Sequence, residues 1–126
     1  MKSVELTRAP TEATRGRLQA LARLPVFLSL HGKRAVLAGG SEAAAWKAEL
    51  MSAAGASVEV FANDVCDALV ELAGDSPGGV ITLYRRAWTR LDLKDAAVAI
   101  GAFDNDDDAA AFAKAARAAG VPVNVI

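Results

Sequence analysis

The chain has 126 residues, 53% of them hydrophobic and 23% charged, with a formal net charge of -1. That length supports one packed core, and that mixture excludes a disordered or collagen-like polypeptide. The near-neutral balance provides neither the basic footprint of a nucleic-acid binder nor a polybasic patch for anionic lipid, and no apolar run reaches the ~20 residues of a membrane span. Residues 1–23 mix arginines with Glu5 and Glu12 and lack the apolar stretch of a signal peptide. They read as a leader, partly disordered, ending in a short helix over RLQALARL.

From Arg34 onward short β-rich runs alternate with alanine-rich helical runs, the rhythm of a parallel sheet covered by helices. Strands are expected over Arg34–Gly39, Ser57–Ala62, Val80–Ala87, Ala96–Phe103 and Val121–Ile126. Between them, helices are expected over Glu42–Ala54, Asp64–Ala73 and Asp106–Ala119, with at most a turn or two over Leu91–Asp95. Gly55 and Gly120 follow helical runs where a left-handed cap suits glycine, and Pro122 stops any continuation. Right-handed crossovers then give a Rossmann-like α/β fold, an open parallel sheet of five strands in the order 3-2-1-4-5 with helices on both faces. Ligands of such sheets bind beyond the carboxyl ends of the strands where the order reverses, here between the first and fourth strands.

The turn at that point reads Gly39-Gly40-Ser41-Glu42-Ala43-Ala44. A dinucleotide fingerprint asks for glycine, glycine and a small residue at the first, third and sixth positions; Gly39 and Ala44 comply, and Ser41 stands where the second glycine belongs. Taken alone, the motif reads more simply as a strand-to-helix turn with Ser41 as N-cap. Asp64, near the end of the second strand, is placed to meet an adenosine ribose and equally to cap the next helix.

The ordered set Leu24-Pro25-Val26-Phe27, Gly39-Gly40, Ala44, Lys47-Ala48 and Gly55-Ala56 resembles the amino-terminal domain of siroheme synthase, the precorrin-2 dehydrogenase and sirohydrochlorin ferrochelatase family. RRAWTRLDLKDAAVAIGAFDND and VPVNVI are similar to that family's link into the fourth strand and its last strand, so the likeness runs from Leu24 to Ile126. It implies an NAD-binding domain over residues 24–126 that oxidises precorrin-2 to sirohydrochlorin, within a longer, homodimeric cytoplasmic protein. Ferrous iron insertion, and a uroporphyrin-III C-methyltransferase half, are further activities the resemblance brings into view. By position, Gly39, Gly40, Ser41, Glu42 and Ala43 would border the pyrophosphate, Asn63 and Asp64 the adenosine end, and Phe103 and Asp104 the nicotinamide side. Departures are Ser41 for glycine, Trp46 for arginine, Phe103 for threonine and Ala109 for asparagine. The family's catalytic aspartate would follow Ile126, so this chain is expected to be a domain truncated at its C-terminal end, with no catalytic residue of its own and little activity.

Other candidates have plain readings. The cluster Asp104-Asn105-Asp106-Asp107-Asp108 suits a helix cap and its dipole better than a metal. His31 reads as a surface turn residue. Cys66, the sole cysteine, reads as a small packed side chain in a reduced setting, with no zinc-like spacing around it. Trp46 and Trp88 would stack on a tetrapyrrole or serve packing, and Arg85, Arg86, Arg90 and Lys94 would attract its carboxylates or form a solvated edge. Two rivals remain, a dinucleotide-sensing module without chemistry and an interaction domain that binds no nucleotide.

Overall fold

The structure, a computed structural model, describes residues 26–126. The expected leader and its short helix lie outside the described residues. Five strands, β1 (Arg34–Ala38), β2 (Ser57–Phe61), β3 (Ile81–Tyr84), β4 (Val98–Gly101) and β5 (Val123–Val125), form one sheet in the order β3-β2-β1-β4-β5. All four pairings are parallel, with Ala38 opposite Phe61 on one side and Gly101 on the other. The expected topology is therefore the observed one.

Both faces of the sheet are covered, so β1 is apolar at successive positions rather than alternately. Ala35 and Leu37 join Val58 and Val60 under α1 (Glu42–Ala53) and α2 (Asp67–Gly74). Val36 and Ala38 join Phe61 and Ala99 under α3 (Arg90–Leu93) and α4 (Asp106–Ala118). The alanines Ala44, Ala45 and Ala48 are buried on α1, and their small volume lets that helix lie close on the strands. Ser41 caps α1 by accepting from the Ala44 amide at 3.3 Å, and Asn105 caps α4 by accepting from the Asp108 amide at 2.8 Å. Asp106, Asp107 and Asp108 fill the first turn of α4, where the helix dipole favours negative charge.

Two element boundaries differ from expectation for non-local reasons. α2 begins at Asp67 with Cys66 as its N-cap, so Asp64 is not the cap; residues 62–65 are instead a loop drawn against the glycine turn by the Cys66 amide, which donates to the Gly40 carbonyl at 2.8 Å. β3 stops at Tyr84 because the chain folds back there, the Arg86 amide donating to the Tyr84 carbonyl at 2.9 Å. The loop before β3 is tied to α1 by buried Ser52, whose hydroxyl donates to the Gly79 carbonyl at 2.6 Å. No helix among the described residues is long and apolar enough to cross a membrane.

Candidate functional site

A cleft of about 720 Å³ opens at the carboxyl ends of the strands, a volume in the range of small-molecule sites. It lies where the sheet changes winding direction, between the loops that follow β1, β2 and β4. Seven of the nine candidate residues line it: Gly39, Gly40 and Ser41 from the turn after β1, Asn63 and Asp64 after β2, Phe103 and Asp104 after β4.

The glycine turn is clamped between its neighbours by backbone. A Cβ on Gly40 would lie 1.9 Å from the Asp64 carbonyl oxygen, so only glycine admits the loop after β2 at that distance. Gly39 has φ of 129°, and a Cβ there would come 2.5 Å from the Ala102 carbonyl oxygen of the loop after β4. Position 41 is different in kind. Ser41 has φ -81° and ψ 177°, extended backbone that any residue adopts, so serine enters without strain where the fingerprint has glycine.

Glu42 and Ala43 do not line the cleft; they form the first turn of α1, and Glu42 borders a shallow groove with Trp46 and Glu49 on the outer side of α1 and α2. The first amides of a helix have no acceptor within it. Here Ala44 is served by the Ser41 hydroxyl and Ala45 by the Ser41 carbonyl, which leaves the Glu42 and Ala43 amides as donors for an external anion. Backbone, rather than either side chain, is what these two positions offer.

The opposite wall is made of side chains. Ala87 and Trp88 from the β3–α3 segment and Asn105, Asp108 and Ala111 from the start of α4 also line the cleft. Trp88 meets Phe112 edge-on at 5.2 Å between centroids, and Phe103 tilts onto the same ring at 5.4 Å. Phe61 stacks on Tyr84 at 5.0 Å, and the Arg86 guanidinium lies 4.8 Å from the centre of the Phe61 ring. Arg86 then donates both terminal nitrogens to Asp92 at 2.8 Å each, a bidentate ion pair. Those hydrogen bonds, joined by donation from the Thr89 amide and hydroxyl and opposed by burial, hold the Asp92 carboxyl down at about 2. The same contact raises Arg86. The Asp92 carbonyl accepts from Arg34, which also pairs with Glu59 at 2.8 Å, so Asp92 ties α3 to β1 as well as to Arg86.

In the sequence Trp88 is a packing or tetrapyrrole-stacking group, and Asn105 and Asp108 are part of a cap. No local signal marks them as lining, because the cleft arises from segments well separated along the chain. Trp46 is exposed, on the outer groove rather than the cleft. His31 sits in a surface turn against Gly55, and half-exposed Cys66 borders the cleft while packing beneath α2. Among the described residues no group of three or more His, Cys, Asp or Glu converges as a metal site.

The family model described as "Putative NAD(P)-binding" matches residues 26–126. The siroheme synthase of Stutzerimonas stutzeri (strain A1501) is 39% identical over 103 residues, covering 82% of this chain and 22% of that protein. The siroheme synthase of Ectopseudomonas mendocina (strain ymp) is 38% identical over 103 residues, covering 82% and 21%. This chain therefore spans about a fifth of the length of the curated relatives it matches. A solved structure titled "SirC, precorrin-2 dehydrogenase" superposes with a TM-score of 0.67 at 22% identity, over 81% of this chain and 48% of that one, a likeness of fold.

Proposed function

Since the chain belongs to the NAD(P)-binding family matched over residues 26–126, we propose that it is the dinucleotide-binding domain of a precorrin-2 dehydrogenase in siroheme biosynthesis. The observation that carries the reading is the clamped turn. Gly39 and Gly40 pack backbone against backbone, and α1 begins at the open cleft with two amides unserved by the helix.

The residues present fit the cofactor. Ser41 imposes no backbone strain and turns its hydroxyl to its own helix, and the Glu42 carboxylate borders the outer groove, away from the place of a pyrophosphate. Gly39, Gly40 and the amides of Glu42 and Ala43 would hold the paired phosphates. Asn63 and Asp64 would hold the adenosine end, and Phe103 and Asp104 the nicotinamide side. Bound NAD supplies the hydride acceptor, so that oxidation of precorrin-2 delivers two electrons and one proton to it and a second proton to a base. The chain's own part is to orient the dinucleotide and to shield the cleft from water with the rings of Trp88 and Phe103, both backed by buried Phe112. Iron insertion, homodimer formation and a cytosolic setting are further parts of the proposal, the last consistent with a chain whose single cysteine is free.

Calorimetric and thermal-shift titration of NAD into the chain tests the reading. Saturation near 100 times Kd should stabilise the fold by about 2.7 kcal/mol. Absence of heat and of any shift at millimolar NAD would overturn it in favour of an interaction domain. Binding without sirohydrochlorin formation by the full-length protein would favour the sensing module.

A further inference from the structure

The lining of the cleft holds no basic side chain; its charged members are Asp64, Asp104 and Asp108. Backbone amides can meet a pyrophosphate there, but a substrate ringed by carboxylates needs cations from outside that lining. The β3–α3 segment supplies them. Arg85, Arg86 and Arg90 bracket the lining pair Ala87 and Trp88. Arg86 is committed elsewhere, through its bidentate contact with Asp92 and its seat over Phe61. Among the described residues the ion pairs are Arg34–Glu59 and Arg86–Asp92, so of the three arginines beside Ala87 and Trp88 only Arg85 and Arg90, both exposed, are outside an ion pair.

Their backbone is not free to wander. Thr89 and Asp92 form a capping box, the Arg86 side chain donates to the Ala87 carbonyl at 3.0 Å, and Trp88 is held on Phe112. Two exposed arginines thus flank the lining pair Ala87 and Trp88 in a segment braced by its own ion pair.

We propose that Arg85 and Arg90 form a carboxylate-binding rim that steers and holds a polycarboxylate tetrapyrrole at the mouth of the cleft. The proposal rests on the functional reading above and goes beyond it by naming the residues that recognise the acid groups of the substrate. Arg86 acts as a positioning residue for the rim, since its charge is matched by Asp92.

The test uses uroporphyrin I, with eight carboxylates, and coproporphyrin I, with four, titrated into the full chain carrying Trp46→Phe so that emission reports Trp88. Uroporphyrin should bind more tightly than coproporphyrin, and its affinity should fall with added salt. The double variant Arg85→Gln/Arg90→Gln should weaken uroporphyrin binding about tenfold at low ionic strength and flatten its salt dependence. Its NAD affinity and melting temperature should stay at the parent values, and Arg85→Lys/Arg90→Lys should retain most of the binding. Unchanged uroporphyrin binding in the double glutamine variant overturns the rim and leaves the dehydrogenase reading standing. A parent chain that binds NAD but not uroporphyrin overturns the rim and the tetrapyrrole assignment together, whereas one that binds neither removes the dinucleotide reading beneath them.

Discussion

The two walls of the cleft are built by opposite means. On the β1 side, Gly39 and Gly40 bring three loops together by having no side chains, and the shape is set by carbonyl groups of Asp64 and Ala102. On the β3 side, Phe61, Tyr84, Arg86 and Asp92 fix the loop by stacking and an ion pair, and Trp88 rests on Phe112. The first wall fails when an atom is added, the second when one is taken away.

Gly40→Ala should break the backbone wall most severely. Its methyl group would meet the Asp64 carbonyl oxygen at 1.9 Å, so the loop after β2 must move. A loss of about 3 kcal/mol in urea denaturation is expected, together with loss of NAD binding. A variant with parental stability would show that the clamp is loose. Asp92→Ala should break the side-chain wall more gently, by about 1 to 2 kcal/mol, because it removes the cap on Thr89 and frees Arg86. Trp88 emission should change while NAD affinity does not, which would separate the two walls experimentally.

Acid should act on the same wall. The Asp92 carboxyl is depressed to about 2 in the folded chain, against about 4 for an ordinary carboxylate. Its contribution is therefore complete above about pH 4 and is lost as pH falls toward 2. A shift of Trp88 emission in that window, absent in Asp92→Asn, is the expected signature. The smallest effect belongs to Ser41→Gly, which trades a hydroxyl cap for glycine at a backbone position that needs neither. Stability should fall by a few tenths of a kcal/mol, with NAD affinity maintained or slightly improved. A large gain in affinity would mean that the serine side chain obstructs the phosphates.

The contrast also explains what could be read in the chain. The helix starts at Ser41 and Asn105, and the left-handed glycines at Gly55 (φ 91°) and Gly120 (φ 72°), are local events with local signals. Strand order was legible too, because parallel crossovers have one hand and the runs between strands are helical. The start of α2 was not, since Asp64 is pulled from a capping position by its contact with Gly40, which lies 24 residues earlier. The extent of β3 was overrun for a similar reason: RRA looks like continuing strand until Arg86 finds Asp92 and the Phe61 ring. Within the site, the turn was visible from its glycines, but Trp88, Asn105 and Asp108 join it only when α4 is packed against β4.

The near-contact at Gly40 constrains chain length as well as residue identity. With the Asp64 carbonyl seated where a methyl group would otherwise stand, inserting or deleting one residue in the β2–α2 connection would shift the register of that seat and deform the glycine turn outside the edited segment. Among related sequences, gaps in an alignment should accordingly avoid residues 62–66 and collect in connections that touch no other loop, and an engineered tag spliced into this connection should impair ligand capture before it impairs folding.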